Sequence, residues 1–382
     1  MIVAAMTAVL IAPPGLANVV VADTEIGDVR GDEGFYHYRE YSAVELARAH
    51  TFEEVWFLFV HGHLPDRAEL DRFVARTRQL QAIPDEVVGI LETSAVLGGE
   101  RQLLIGLRTV MSALGPALGV APLWDSDDET RRADTLRATA LTPTLLAALY
   151  RVRSGESPVT PRADLGVAAN WLFMITGEVP SAAHARAVEQ YLILTMDHGF
   201  NASTFAARVI ASTGADVHAA LCGALGAFSG PLHGGAPDRA LDSLDEIVAH
   251  GDALEWAREQ VAQRRRIMGF GHAVYRTEDP RSLLLREVAQ GLGGPTVDAA
   301  IGAEQAIVDA LREAHPDHPR YANVEFYAGV VMDACGIPRS MFTPTFAVSR
   351  TVGWCANILE QAKSRKLIRP AARYVGPPPA AL

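Results

Sequence analysis

From Ser42 onward the chain carries helix start signals at close intervals and almost no strand signal, which restricts it to a helical architecture. Ser42 stands three residues before Glu45, Thr51 before Glu54 and Asp66 before Glu69. At that spacing a side-chain oxygen and a downstream carboxylate cap one helix start reciprocally. Val55, Leu58 and Phe59 then form an apolar face, which Leu64-Pro65 ends. Ser181 caps a helix with Val188, Tyr191, Leu192 and Thr195 on one side, leaving His198 at its exit. Asn201 to Ser212, Ala219 to Phe228, Glu255 to Arg266, Ser282 to Gln290 and Asp298 to Glu313 read as further helices, and Phe346 to Gln361 as a closing helix that carries Arg350. Trp124 to Thr130 and Ser154 to Pro161 read as loops. Strand signal is confined to Asn18 to Tyr38, with Val19 to Val21, Ile26 to Val29, a Gly31-Asp32-Glu33-Gly34 turn and Phe35 to Tyr38. Without β-α-β alternation, the expected class is all-α with one small N-terminal β-hairpin.

A length of 382 residues allows two domains that share an interface, and 49% hydrophobic with 21% charged residues is the balance of a globular protein. The net charge of −11, from 45 acidic and 34 basic residues, disfavours a general nucleic-acid partner. Cys222, Cys335 and Cys355 lie far apart with no C-x-x-C pair, which fits a reducing cytoplasm. Met1 to Pro13 is apolar but lacks Lys or Arg before its hydrophobic run, and is too short to span a bilayer. It reads as a leading tail or a buried end, and no membrane segment is expected. His61-Gly62-His63 falls at a helix end without an acidic or third ligand beside it, so it reads as a solvated turn rather than a metal site. The absence of a G-x-x-x-x-G-K loop argues against a nucleoside triphosphatase.

Chemistry concentrates in Arg264 to Arg281, R-R-R-I-M-G-F-G-H-A-V-Y-R-T-E-D-P-R. Gly269 and Gly271 flank Phe270 just before His272, where the backbone can turn sharply and bring its N–H groups close to a ligand. Asp279-Pro280 favours a turn, and Arg281 after it can grip a carboxylate bidentately. One Gly-x-Gly before one histidine is only a flexible loop in many proteins. Here a second glycine-flanked histidine, Gly230-Pro231-Leu232-His233-Gly234-Gly235, precedes it, and Asn323-Val324-Glu325-Phe326-Tyr327-Ala328-Gly329 follows.

Three such segments in this order resemble the citrate synthase family, and the resemblance runs from Gly15 to Gly376. It implies an all-α dimer with a large domain at residues 1–234, a small mobile domain at 235–336, and a return to the large domain with a C-terminal arm at 337–382. It also implies the condensation of acetyl-CoA with oxaloacetate, followed by hydrolysis to citrate and CoA. Such a reaction needs a base for a weakly acidic C–H, a donor for the enolate oxygen and polarisation of the carbonyl under attack. By the resemblance Glu325 is the base, His233 the donor to the thioester oxygen and His272 the donor to the ketone oxygen. Arg281, Arg350 and Arg369, with His198, would hold the dicarboxylate, Arg369 reaching into the partner subunit's site of a homodimer. The Met268, Gly269, Phe270 and Gly271 backbone would receive the adenine part of coenzyme A, with Arg266 as the first phosphate contact among Arg264, Arg265 and Arg266. The acyl-CoA thioester is a co-substrate, and no permanently bound cofactor or metal is implied. Read from spacing alone, Arg350 is a salt-bridge residue and Arg369 a solvated tail charge.

Two departures stand out. The family's usual base is an aspartate, whereas Glu325 is one methylene longer. Tyr38-Arg39-Glu40-Tyr41 has Glu40 where a glycine commonly follows the arginine, and Pro237 stands close after His233. The rival activity is 2-methylcitrate synthesis from propionyl-CoA, and a rival of another class is an inactive relative that binds acyl-CoA or a dicarboxylate.

Overall fold

The computed structural model describes residues 10–97, 103–230, 233–234, 236–272 and 274–379. Its helix starts follow the local signals. The Ser42 side chain accepts from Glu45 N–H, and Thr51 with Glu54 and Asp66 with Glu69 form reciprocal capping boxes. These open α1 (Ala43–Ala49), α2 (Phe52–His61) and α3 (Arg67–Gln79). The chain continues through α4 (Asp85–Val96), α5 (Leu103–Ala117), α6 (Asp128–Arg153), α7 (Val167–Thr176), α8 (Ala182–Leu194), α9 (Ala202–Ala211) and α10 (Val217–Phe228). Then follow α11 (Ala236–His250), α12 (Ala253–Ala262), α13 (Pro280–Leu292), α14 (Pro295–Ala314), α15 (Val324–Ala334) and α16 (Phe342–Ser364). The all-α expectation is borne out.

The hairpin pairs β1 (Gly27–Arg30) with β2 (Phe35–Tyr38), Arg30 opposite Phe35, and β2 turns into the two-residue β3 (Tyr41–Ser42). Val19 to Val21 is not a strand but a coil with Val20 exposed, and among the described residues no segment pairs with its backbone as a ladder. Among the helix boundaries that differ from expectation, three have a clear local cause. The helix expected to reach Arg266 stops at Ala262, since Arg264 adopts a left-handed φ of 55°. Asp128 to Thr130, read as loop, is the first turn of α6, which Asp127 caps. Asp279-Pro280 is not a free turn: Asp279 caps α13 and Pro280 fills its first position, where a missing N–H costs nothing.

The core gathers around α16, buried along most of its length and packed by α2, α6, α8, α9, α10 and α11. Gly353 permits a close crossing, for a Cβ there would lie 2.2 Å from the Met196 carbonyl oxygen. Helices α11 to α15 pack chiefly on one another and touch the rest through α1, α8 and α16. No described helix is long and apolar enough to cross a membrane. Leu10 and Ile11 are exposed, and Met1 to Val9 lies outside the described residues.

Candidate active site

The Gly269-Phe270-Gly271 turn is tied to the residues just before α15. Gly271 N–H donates to Tyr321 O (2.8 Å), Asn323 N–H to Gly269 O (2.8 Å) and the Asn323 amide to Gly271 O (2.8 Å). Gly269 has φ +84°, and a Cβ there would press to 3.0 Å on Phe326. The turn therefore needs glycine twice over, for conformation and for room. Asn323 also caps α15 by accepting from Glu325 N–H (3.0 Å), so the turn and the Glu325 helix are set by one side chain.

His272 Nδ1 accepts from Val274 N–H and Tyr275 N–H, both at 3.0 Å. Two donors on Nδ1 leave the proton of the neutral ring on Nε2. Burial, then the nearby Arg281 charge, pulls its pKa down to about 4, so the ring is neutral at pH 7. The Arg281 guanidinium lies 3.3 Å from that Nε2 and is held by Asp279 through two bonds, Nε to Oδ1 (2.9 Å) and Nη2 to Oδ2 (2.7 Å). Asp279 also accepts from the N–H groups of Arg281 and Val324, so this buried ion pair ties the starts of α13 and α15 together. Burial alone would push the Asp279 carboxyl up, but Arg281 more than offsets it and the net is downward. His198 faces His272 at 5.5 Å between ring centroids, and its Nε2 lies 2.9 Å from the Tyr275 hydroxyl. Burial, then Arg281, holds His198 well below the usual imidazole range.

His233 is oriented from the other side of the chain. Its Nε2 meets Ser203 Oγ at 2.8 Å and Ser203 N–H at 3.4 Å, in the first turn of α9. These two contacts fix the orientation of the ring. Ser203 is itself fixed by Asn201 Oδ1 (2.7 Å) and by Trp354 Nε1–H (3.1 Å). Burial, then Arg350, lowers His233 to about 4. Arg350 is buried on α16, donates through Nε to Thr195 O (2.9 Å) and stacks 4.8 Å from the Phe346 ring. Burial, opposed by Arg281 and Arg266, lifts Glu325 to about 7.

One cavity of about 1310 Å³ joins these groups, lined by His198, His233, His272, Arg281, Glu325 and Arg350. Arg266, Phe270 and Gly271 also line it, whereas Met268 and Gly269 do not and serve the turn from behind. Arg369 does not line the cavity of its own chain; it is exposed beyond α16 on a segment anchored by Ile368 N–H to Ser212 Oγ (3.0 Å). Arg350, a salt-bridge residue by spacing alone, is buried and forms part of the cavity wall. The segment behind His233 is partly described: Pro231, Leu232 and Gly235 lie outside the described residues, as does Ala273, and α11 begins at Ala236. Among the described residues no cluster of histidine, cysteine and acidic side chains could hold a metal, and His63 instead meets Glu69 at 3.3 Å.

The family model for the citrate synthase C-terminal domain matches residues 15–371. The chain belongs to the citrate synthase family. It is 40% identical to a "Putative citrate synthase 2" of Mycobacterium tuberculosis over 371 residues, 96% of this chain and 93% of that one. It is 38% identical to a 2-methylcitrate synthase of the same species over 366 residues, 95% of this chain and 90% of that one. Among solved structures, citrate synthase of Thermoplasma acidophilum in ternary complex with carboxymethyl coenzyme A and oxaloacetate superposes with a TM-score of 0.88 at 27% identity, covering 96% and 97% of the two chains. As a citrate synthase family member the chain is an acyltransferase that converts the acyl group into an alkyl group on transfer.

Five residues of this site have no role assigned from the sequence. Ser203 and Tyr275 orient histidines, Asp279 holds Arg281, and Arg276 and Arg320 join Arg266 on the cavity wall. Asp279 carried a signal, since an Asp-Pro pair before a helical run reads as a cap with proline at the first position. Ser203 carried none, because its partner is 30 residues away.

Proposed function

We propose that this protein is a citrate synthase that condenses acetyl-CoA with oxaloacetate and hydrolyses the resulting thioester to citrate and CoA. The observation that carries the reading is the pairing of His272 Nε2 with the Arg281 guanidinium, 3.3 Å apart and both donors, an arrangement that a ligand oxygen bridges. Glu325, lifted to about 7 by burial, has the basicity to take a methyl proton near neutrality. His233, neutral, donates to the thioester oxygen as the enolate forms, and the neutral Nε2–H of His272 polarises the ketone. Arg281 and Arg350 hold the two carboxylates, and His198 adds a donor. The enolate carbon attacks the ketone carbon, the ketone oxygen takes up a proton, and water then cleaves the thioester to release CoA. Arg266, with Arg276 and Arg320, supplies cations for the phosphates of coenzyme A. No bound cofactor enters these steps.

Two assembly features belong to the same reading. Residues 235–336 form a mobile small domain: His272, Arg281 and Glu325 come from it, whereas His198 and Arg350 come from the rest, so closure completes the site and expels water. The chain works as a homodimer in which Arg369 of each subunit enters the other's site. Exposed Val88, Ile90, Val96, Leu97 and Ile105, on or beside the packed pair α4 and α5, give that dimer an apolar surface to cover. A second reading, 2-methylcitrate synthesis, is favoured by the 38% identical relative. One methylene in an apolar pocket discriminates by only about 1–3 kcal/mol. The test is CoA release with acetyl-CoA and with propionyl-CoA, each with oxaloacetate. Higher kcat/KM for acetyl-CoA is expected, the reverse order selects the second reading, and no release with either overturns both.

A further inference from the structure

The tip of the N-terminal hairpin is packed against the catalytic loop. Gly31 O accepts from Arg276 N–H (3.1 Å), and a Cβ on Gly31 would lie 2.2 Å from the Val274 carbonyl oxygen and 2.8 Å from its carbon. At the other end of the turn a Cβ on Gly34 would lie 2.7 Å from Thr277 Oγ1. The hairpin thus covers residues 274–277 at contact distance, and only glycine at position 31 leaves room for it. Two of those residues, Val274 and Tyr275, supply the N–H groups that occupy His272 Nδ1. The hairpin body is anchored independently: Tyr36 donates to Leu194 O (3.0 Å) and Tyr38 to Ile193 O (3.0 Å) at the exit of α8, beside His198.

We propose that the β1–β2 tip is a positioning clamp for His272, in which Gly31 fixes the backbone amides that keep the histidine's proton on Nε2, toward the substrate. The inference rests on the condensation assigned above, since it gives a role to the Nε2–H. The clamp acts through the 274–276 backbone, so Gly31 is a positioning residue and touches no substrate. It also couples two distant parts of the chain, because the hairpin is braced on the α8 exit that carries His198 while the loop leads into Arg281. The groups that face His272 are Arg281 and Asp279 from the start of α13, His198 from the α8 exit and Tyr275 from its own loop. Tyr36 of β2 lies behind them against His198 and Arg281. None of these belongs to the hairpin tip, so a change at Gly31 reaches His272 through backbone geometry alone.

Gly31→Ala forces the loop back by about 1 Å to relieve the overlap, and a displacement of that size can cost roughly 10²-fold in rate. In the full-length protein with helix content and melting temperature checked, a fall in kcat of roughly 10- to 100-fold is expected, with a raised KM for oxaloacetate. Asp32→Ala, at the exposed tip but outside the contact, should match the parent. Gly34→Ala is the second variant: it displaces the Thr277 side chain and also strains the turn at a φ of +62°, and it carries the test if Gly31→Ala does not fold. The decisive readout is nitrogen NMR of histidine-labelled protein without substrate, with His272 assigned through His272→Gln. The parent should show a lone pair on Nδ1 and a proton on Nε2, and Gly31→Ala a mixture of tautomers with a raised pKa. An unchanged His272 tautomer in a folded Gly31→Ala protein overturns the clamp, whether or not turnover falls. The NMR arm stands even if the parent releases no CoA, which separates failure of the clamp from failure of the assigned reaction.

Discussion

Glu325→Gln keeps the size and hydrogen-bonding reach of the side chain and removes its basicity. The structure sets two magnitudes. Loss of a positioned general base costs roughly 10²–10⁴ in turnover, with substrate binding little changed. The second magnitude concerns stability. Below about pH 4.5 the carboxyl is neutral in both folded and unfolded chains; between that and about 7 the unfolded chain loses the proton while the folded site retains it. The folded state is therefore progressively weakened as pH rises through that window, by at most about 3 kcal/mol for a shift of this size, less whatever solvent reaches the partly exposed group. Glu325→Gln should thus be more stable than the parent at pH 8 and close to it at pH 4, a gain at the expense of activity. Glu325→Asp draws the carboxylate back by one methylene, roughly 1.5 Å. Because Asn323 fixes the helix start from which residue 325 projects, the backbone does not follow, and activity should be impaired, though less than in Glu325→Gln. The assays are thiol release from acetyl-CoA with oxaloacetate, exchange of the acetyl methyl protons into deuterated water, and denaturant unfolding at the two pH values. In the parent, kcat/KM should rise with pH through about 7 as the carboxylate ionises. A Glu325→Gln protein that exchanges methyl protons and forms product at the parental rate would falsify the assignment of the base.

Arg281→Lys keeps the charge but cannot reproduce the two-point grip on Asp279, so oxaloacetate KM should rise and stability fall by about 3 kcal/mol, since a buried carboxylate loses its fitted partner; denaturant titration and steady-state kinetics check both. Ser203→Ala removes the hydroxyl on His233 Nε2 and should lower kcat about tenfold with the backbone N–H contact retained; unchanged kcat and unchanged His233 nitrogen shifts would show that the serine does not orient the ring. Mixing inactive His272→Ala chains with inactive Arg369→Ala chains should restore part of the activity, because a mixed dimer assembles one intact site; no recovery in verified mixed dimers refutes the shared site.

What neighbouring residues decide was legible along the chain. Caps act over three residues and apolar faces over seven, so Ser42, Thr51, Asp66 and Ser181 announced their helices, and the turn Gly31 to Gly34 its hairpin. Val19 to Val21 has the composition of a strand and fails as one, since strand formation depends on a partner that composition does not specify. Glycine-flanked His233 and His272 marked where to look because glycine is a local requirement of sharp turns. Their chemistry was not local. The orientation of His233 follows from Ser203 on α9, the proton position on His272 from the Val274 and Tyr275 amides, and the grip of Arg281 from a carboxylate that also holds Val324, 45 residues away. The basicity of Glu325 follows from burial, which no single segment of the chain sets. The sequence by itself determined the helical class and which side chains could act; tertiary packing alone decided their protonation and orientation, because desolvation and hydrogen-bond partners arise only where distant segments meet.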